Sequence, residues 1–280
     1  MEKQTTGYNL SISINDIQLS YDDVGAGAIP IIFLHGYPFD KTMWQGQLDF
    51  LVTTNRVIAY DIRGFGKSKD ETASLSIDLF VADLQAFMDK LNIERAIICG
   101  LSMGGYIALN AVKKFPERFE ALILCDTQCI ADPIEVKQKR YETIAKIEAE
   151  GVTNFNEGFI KGVFHKNSIA NKKELVEQLS EVVYANSKHI MKQGLTAIAE
   201  RSETCSSLNE IKIPVLVICG REDSLTPVVQ SEFMHKTING SKLVIIDEAA
   251  HVSNLEQPQV FNKNLDAFVT ALRSVEVGKI

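Results

Sequence analysis

Ser102 stands in the middle of Gly100-Leu101-Ser102-Met103-Gly104, the stretch of the chain best suited to nucleophilic chemistry. An apolar, β-branched run precedes it and helix-forming residues follow it, which predicts a strand, a tight turn and a helix with the Ser102 side chain exposed at the tip of the turn. The flanking glycines allow contacts with neighbouring elements that a Cβ would prevent. The N–H of Met103, at the start of the helix, would then point at the group that Ser102 attacks.

A serine hydroxyl becomes a good nucleophile when a base removes its proton, and His251 is the candidate base. It follows the predicted strand Leu243–Ile246 after a short loop, so it also lies at the carboxyl end of a strand. An imidazole with an unperturbed pKa of about 6.5 can accept and return a proton at neutral pH. His35 is expected to hydrogen-bond its own loop, and the other three histidines are expected at the surface: His165, His189 and His235.

The acid that orients the histidine has two main candidates, Asp223 and Asp126, and each follows a predicted strand. Asp223 is favoured because the chain order serine, aspartate, histidine then places the three groups on successive strand ends. Asp126 lies where a long insertion begins, so it could simply turn the chain. Glu222 and Glu248 are weaker candidates that are expected to face solvent.

Strand-like runs alternate with helical patterns over most of the chain. Alternating residues on both sides of Asn15-Asp16 predict a hairpin, and apolar residues at helical spacing predict a helix over Ile77–Leu91. Further helices are predicted from about Pro227 and over Pro258–Leu272. This alternation predicts a mostly parallel sheet covered by helices. The predicted strands are the run that leads into Gly100 together with Leu10–Ile14, Ile17–Tyr21, Ile29–Leu34, Val57–Tyr60, Ala121–Cys125, Val215–Cys219 and Leu243–Ile246.

Residues 127–205 interrupt this alternation and contain no predicted strand. Apolar residues recur at helical spacing around 141–145, 175–183 and 190–198. A helical insertion between two parallel strands would lie above their carboxyl ends, where ligands bind in such sheets. It is interpreted either as a lid or as a purely structural subdomain. The predicted division is a core in two parts, residues 1–126 and 206–280, separated by this insertion.

The composition narrows the classes of partner. The chain has 280 residues, 45% of them hydrophobic and 23% charged, which is typical of a globular protein with a sizeable core. Its formal net charge of −7 argues against binding to nucleic acid or to an anionic membrane surface. Met1–Leu10 has no apolar signal core and no apolar run has membrane-spanning length, so a cytoplasmic location is expected. The expected partner is a small-molecule substrate, and the oligomeric state stays open.

The chain contains five cysteines, and three of them lie in or at the end of strand-like runs: Cys99, Cys125 and Cys219. We expect buried thiols in a reducing compartment rather than disulfides. Cys125 and Cys129 lack the spacing of metal ligands, and no metal or cofactor is predicted.

Five ordered motifs resemble the α/β-hydrolase superfamily over nearly all of the chain outside the insertion. They are His35-Gly36-Tyr37-Pro38, the run from Asp61 to Ser68, the run from Gly100 to Gly105, the run from Ile213 to Asp223, and Ala249-Ala250-His251. The resemblance implies an α/β fold, with a mostly parallel eight-stranded sheet, helices on both faces and an inserted helical cap. It further implies these site residues: Ser102 as nucleophile, Asp223 as acid, His251 as base, and the N–H groups of Tyr37 and Met103 as oxyanion hole.

The same resemblance limits the reaction. Haloalkane dehalogenases and epoxide hydrolases of the superfamily carry an aspartate at the position of Ser102, so both are excluded. The chain looks most like small bacterial carboxylesterases and 3-oxoadipate enol-lactonases, which implies cleavage of a small ester or lactone through an acyl-enzyme intermediate, without a cofactor. Left open are a cofactor-independent haloperoxidase or perhydrolase, a carbon–carbon-bond hydrolase, and a ligand sensor with slow turnover. Asp61 and Arg63 are expected to pin loops.

Overall fold

The computed structural model describes residues 6–71 and 74–277, and within these ranges eight strands form one sheet. The spatial order is β1-β2-β4-β3-β5-β6-β7-β8; β1 and β2 are antiparallel to their neighbours and the other strands are parallel. This confirms the predicted sheet. Residues 1–5 of the stretch Met1–Leu10 lie outside the described ranges. The strands are β1 Gly7–Ile14, β2 Ile17–Val24, β3 Ile31–Leu34, β4 Val57–Tyr60, β5 Ala96–Leu101, β6 Phe119–Cys125, β7 Val215–Gly220 and β8 Lys242–Ile246.

Helices cover both faces of the sheet. They are α1 Gln45–Leu51, α2 Ile77–Lys90, α3 Met103–Lys114, α4 Ile134–Glu150, α5 Thr153–Val163, α6 Lys166–Asn171, α7 Lys173–Tyr184, α8 Lys188–Ala199, α9 Val228–Thr237, α10 Ser253–Glu256 and α11 Pro258–Val277. Among the residues described, no helix has the length and apolar character needed to cross a membrane.

The side chains of each strand point alternately to the two faces of the sheet, so the core forms two layers, one on each face. Ile32 and Leu34 of β3 pack in the same hydrophobic cluster as α2 and α3. Ile31 and Phe33 point the other way and pack with α1 and α11. Because successive side chains of a strand face opposite sides, a fully apolar strand such as β3 needs helices on both.

The strand order reverses at β3, which has β4 on one side and β5 on the other. Ligands of parallel α/β sheets bind at such a switch point, outside the carboxyl ends of the strands. The register brings these ends together, since Leu34 pairs with Gly100 and Leu101 pairs with Cys125. The loops that follow β3, β5 and β6 therefore emerge side by side.

Five helices, α4 to α8, lie between β6 and β7 in the part of the chain that the structure covers; they are called the inserted helices below. The apolar patterns predicted α4, α7 and α8. The sequence analysis did not single out α5, although Phe155, Phe159 and Val163 recur there at helical spacing. It also missed the six-residue α6, which is too short to show a helical period. Helix α4 packs along α8, and α5 packs along α7.

The inserted helices leave and rejoin the core at a disulfide between Cys129 and Cys205. The backbone N–H of Thr204 also donates to the carbonyl of Cys129 over 2.8 Å, so the two ends of the segment are paired. The expectation that disulfides are absent is wrong for this pair. The two cysteines are 76 residues apart and become neighbours because β6 and β7 are adjacent, which the local sequence does not reveal. The expected buried thiols are confirmed at Cys99, Cys125 and Cys219.

We expect reduction of this disulfide to lower the free energy of unfolding by about 2–4 kcal/mol, because the cross-link restricts the unfolded chain. The measurement is urea unfolding with and without a reductant. The double variant Cys129→Ser/Cys205→Ser is the control; it should match the reduced protein and should not respond to reductant. A wild-type unfolding curve that is the same under both conditions would contradict the prediction.

Candidate active site

Ser102 lies at a sharp turn between β5 and α3, with φ of 53° and ψ of −114°. A non-glycine residue in this conformation is strained, as expected where a strand turns abruptly into a helix. The turn depends on close backbone contacts. A Cβ on Gly100 would lie 2.3 Å from the carbonyl oxygen of Gly104, and a Cβ on Gly104 would lie 2.2 Å from that of Leu34. Both glycines are therefore sterically required, as the sequence predicted.

The Ser102 side chain is less accessible than predicted. The residue is only 9% exposed, because the turn opens into a cavity that the inserted helices also line and not directly into solvent. The predicted exposure of Ser102 at the tip of the turn is therefore wrong. The motif predicts the turn but not the inserted helices that cover it.

Hydrogen bonds connect Ser102, His251 and Asp223 in a single chain. The Nε2 atom of His251 lies 2.8 Å from the Ser102 hydroxyl, and its Nδ1 atom lies 2.8 Å from Oδ2 of Asp223. Thr226 fixes the carboxylate by donating its hydroxyl to Oδ2 over 2.6 Å and its N–H to Oδ1 over 3.0 Å. All three predicted groups thus meet at one place, and Thr226 is a supporting residue that the sequence reasoning missed.

The electrostatic interaction between Asp223 and His251 favours the charged form of each side chain. Burial alone would lower the pKa of His251, but the charge and hydrogen bond of Asp223, with smaller contributions from the charges of Asp126 and Glu256, hold the pKa above its ordinary value. Burial opposes ionisation of Asp223, but the charge of His251 and the hydrogen bonds from His251 and Thr226 hold its pKa below the ordinary value. The pair therefore favours an ionised carboxylate beside an imidazole that readily accepts a proton.

Asp126, the alternative acid, is buried near the same cluster but bonds elsewhere. Its Oδ1 accepts the N–H of Gly220 over 2.7 Å, and its Oδ2 accepts the hydroxyl of Ser253 over 2.6 Å. Burial and the nearby charge of Asp223 raise its pKa well above the ordinary value. Asp126 therefore joins the end of β7 to the start of α10, while Asp223 is the carboxylate bonded to His251.

Two backbone N–H groups beside Ser102 make no hydrogen bond to the residues that the structure describes, namely those of Tyr37 and Met103. Met103 is the first residue of α3, where N–H groups lack helical partners and the helix dipole is positive. Tyr37 follows Gly36, where an added Cβ would lie 3.2 Å from the Cβ of Ser102. Both N–H groups are thus free to bind an oxyanion near the serine.

The sequence and the fold of this chain resemble those of known proteins. A family model described as the alpha/beta hydrolase fold matches residues 29–258. The chain belongs to the α/β-hydrolase family. A 3-oxoadipate enol-lactonase from Acinetobacter baylyi is 32% identical over 258 residues, which are 92% of this chain and 95% of the relative.

Solved structures of other hydrolases superimpose along nearly the whole chain. A thermophilic esterase from Thermogutta terrifontis has a TM-score of 0.88 at 29% identity, covering 94% of this chain and 97% of that one. An enol-lactonase from Burkholderia xenovorans has a TM-score of 0.87 at 27% identity, covering 93% of this chain and 100% of that one. The family and these relatives support hydrolysis of esters or lactones as the general activity of this α/β-hydrolase.

The loops beneath the site of this α/β-hydrolase are pinned by residues that the sequence singled out. His35 accepts the N–H of Ile62 at Nε2 over 2.9 Å, and burial lowers the His35 pKa to about 4, so the ring stays neutral. Asp61 accepts the N–H groups of Lys41 and Lys67, each over 2.8 Å. Arg63 forms ion pairs with Asp83 and Asp70, at 2.7 and 2.9 Å.

Glu256 is a supporting residue that the sequence analysis did not identify. Its carboxylate accepts the N–H of Ala250 over 2.6 Å and the N–H of His165 over 2.7 Å. The N–H of His251 in turn donates to the carbonyl of Val163 at the end of α5 over 3.0 Å. Glu256 therefore ties the loop of the candidate base to the inserted helices. His165 is buried at this junction, so its predicted place at the surface is wrong.

A cavity of about 400 Å³ lies between Ser102 and the inserted helices of this α/β-hydrolase. Its walls are mostly apolar: Phe155 and Phe159 come from α5, and Leu195 and Ile198 from α8. Tyr37 also lines the cavity, and its hydroxyl donates to the carbonyl of Met191 in α8 over 2.9 Å. The volume suits a small organic molecule.

We expect the pKa of His251 to lie above about 6.5 and to fall in Asp223→Asn, because removing the adjacent negative charge destabilises the imidazolium. The measurement is an NMR titration of the imidazole resonances. Asp126→Asn is the matched control and should shift the pKa less, since Asp126 is not bonded to His251. A larger shift in Asp126→Asn than in Asp223→Asn would contradict the assignment of the acid.

Proposed function

We propose that this chain hydrolyses small carboxylic esters or lactones through an acyl-enzyme intermediate formed on Ser102. The observation that carries the proposal is the chain of two 2.8 Å hydrogen bonds from Ser102 through His251 to Asp223. A serine, a histidine and a carboxylate in this order supply a nucleophile, a base and an orienting acid. The ester hydrolases among the relatives support the same reaction class.

Acylation begins when Ser102 attacks the substrate carbonyl and its proton passes to Nε2 of His251. Asp223 holds the imidazole with Nδ1–H towards the carboxylate and stabilises the imidazolium that forms. The N–H groups of Tyr37 and Met103 receive the negative charge that develops on the carbonyl oxygen. His251 then returns the proton to the leaving oxygen, the carbonyl–oxygen bond breaks, and the acyl group remains on Ser102.

Deacylation repeats these steps with water. His251 removes a proton from water, the hydroxide attacks the acyl carbon, and the proton is returned to Ser102 as the carboxylic acid leaves. An ester releases its alcohol after the first step. A lactone keeps its alcohol attached to the acyl group, so ring opening leaves a single hydroxy acid product.

The inserted helices act in this proposal as a cap over the site. They correspond to residues 127–205, and the two flanking segments, 1–126 and 206–280, form the core. Phe155, Phe159, Leu195 and Ile198 supply an apolar wall that orders the substrate and keeps bulk water away. A ligand sensor would use the same residues, but it would give one slow turnover where an enzyme gives many.

Ser102→Ala should abolish hydrolysis of p-nitrophenyl acetate, because it removes the nucleophile. The fold should stay intact, because the Ser102 hydroxyl makes no hydrogen bond to the backbone of the described residues. The measurements are steady-state rates and circular dichroism. A fluorophosphonate should label the wild-type protein at Ser102 and leave this variant unlabelled. Wild-type rates in the folded variant would refute the proposed function, and a single turnover in the wild type would favour the sensor.

Asp223→Asn should reduce kcat on the same ester by about 10⁴-fold, because the amide no longer holds the imidazole in the required tautomer. Asp126→Asn is the matched control and should cost far less, since an amide oxygen can still accept the N–H of Gly220. Both variants need circular dichroism to show that they fold. If Asp126→Asn were the more damaging of two folded variants, the acid would have to be reassigned.

A further inference from the structure

Arg140 is the one permanently charged side chain among the described residues that line the cavity. It belongs to α4 of the inserted helices, opposite the strand ends that carry Ser102 and His251. The other lining groups are mainly aromatic, aliphatic or neutral polar, and His251 is committed to Ser102 and Asp223. The Arg140 side chain is 27% exposed, so it is only partly desolvated, and a partly buried cation is stabilised by pairing with an anion.

The structural partner of Arg140 is Asp132, and this carboxylate is shared. The Nε atom of Arg140 donates to Oδ2 of Asp132, while Nη1 of Arg201 lies 2.8 Å from Oδ1. The side chains of Asp132 and Arg201 are 2% and 1% exposed, so this ion pair is fully buried. Two guanidinium groups face one carboxylate, and the cluster carries a net charge of +1.

Arg201 is held mainly by contacts within the protein, although its buried Nη2 atom has no hydrogen-bond partner among the described residues. It donates to the carbonyls of Ile198 and Ile130, at 2.7 and 3.1 Å, and its guanidinium lies 4.4 Å above the ring of Tyr106. The Nη1 and Nη2 atoms of Arg140, in contrast, donate to no residue in the described ranges. Of the two guanidinium groups, that of Arg140 lines the cavity, whereas that of Arg201 is buried away from it, so a ligand in the cavity meets the net positive charge at Arg140.

The free edge of Arg140 has the chemistry of a carboxylate site. Two parallel N–H groups of a guanidinium match the two oxygens of a carboxylate, and an ion pair of this kind is strong where water is scarce. Burial raises the pKa of the Tyr37 hydroxyl, and the positive charge of Arg140 opposes that shift, which is consistent with Arg140 lying near the Tyr37 side of the cavity. An anion held by Arg140 would thus share the cavity with Ser102.

We propose that Arg140 binds a carboxylate on the substrate, so that the preferred substrate is an ester or lactone whose acyl chain ends in a free carboxylate. This rests on the proposed function: the carbonyl that reacts lies at Ser102, and the second, unreactive carboxylate lies at Arg140. Asp132 positions Arg140, and Arg201 neutralises Asp132 so that the Arg140 charge remains available. The reaction consumes water and releases an alcohol and a dicarboxylate, or a hydroxy dicarboxylate from a lactone.

The experiment compares matched esters that differ only at the far end of the acyl chain. The anionic series is monomethyl succinate, glutarate and adipate, and the neutral partners are methyl butanoate, pentanoate and hexanoate. For the wild type we expect kcat/KM to be at least tenfold higher for one member of the anionic series than for its neutral partner. This comparison needs no variant, so it remains decisive if a substitution impairs folding.

Arg140→Gln should lower kcat/KM for that anionic ester by roughly 10- to 100-fold, mainly through KM, as expected for the loss of charged hydrogen bonds. The neutral partner should lose far less, so the ratio between the two esters should fall towards one. Arg140→Lys should restore part of the ratio, because it keeps the charge without the paired N–H geometry. Lys139→Gln, which removes a charge from an exposed position on the same helix, should leave the ratio unchanged.

The outcomes separate the two proposals. Hydrolysis of the neutral esters without preference for any anionic partner would overturn the role of Arg140 and leave the hydrolase intact. An equal loss on both members of a pair in Arg140→Gln would also overturn it, because it would assign Arg140 to the packing of the inserted helices. No hydrolysis of any ester by the wild type would instead count against the proposed function.

Discussion

The close packing of the start of α3 against the ends of β3 and β5 is the constraint on which the site depends. It requires glycine at 100 and 104, and it holds Ser102 in a conformation that few non-glycine residues adopt. The large apolar core on both faces of the sheet stabilises the fold enough to tolerate this backbone strain. A rigid central sheet thus allows one turn at the carboxyl ends of its strands to be unfavourable, and the serine is consequently fixed in position before any substrate arrives.

Buried charge is the second feature that the fold has to support. Asp223, Asp126 and Glu256 all lie near His251, and each carboxylate is held by N–H or hydroxyl donors. Only Asp223 is bonded to the imidazole; the other two fix the loops on either side of it. The position of the base is therefore determined by three buried carboxylates, whose hydrogen bonds join the ends of β6 and β7, α10 and the inserted helices.

Most of the sheet could be predicted from the sequence because its signals are local, and the chain order of Ser102, Asp223 and His251 was enough to predict that these three groups meet. Apolar runs that end in glycine or aspartate mark the strands, and Gly-x-Ser-x-Gly marks the turn. What could not be predicted depends on contacts between distant segments. Examples are the Cys129–Cys205 disulfide, the burial of His165 and the low exposure of Ser102. Glu256 looks like an ordinary solvent-facing glutamate in sequence, and only its partners at Ala250 and His165 reveal its role.

The disulfide between Cys129 and Cys205 closes the inserted segment covalently into a ring at the place where its two ends meet the core. If a protease cut any peptide bond between these two cysteines, the halves of the chain would stay joined through sulfur. Strands β6 and β7, which pair side by side, would remain tethered to each other. The segment above the site can therefore lose its chain continuity while the serine, the histidine and the carboxylate remain parts of one molecule.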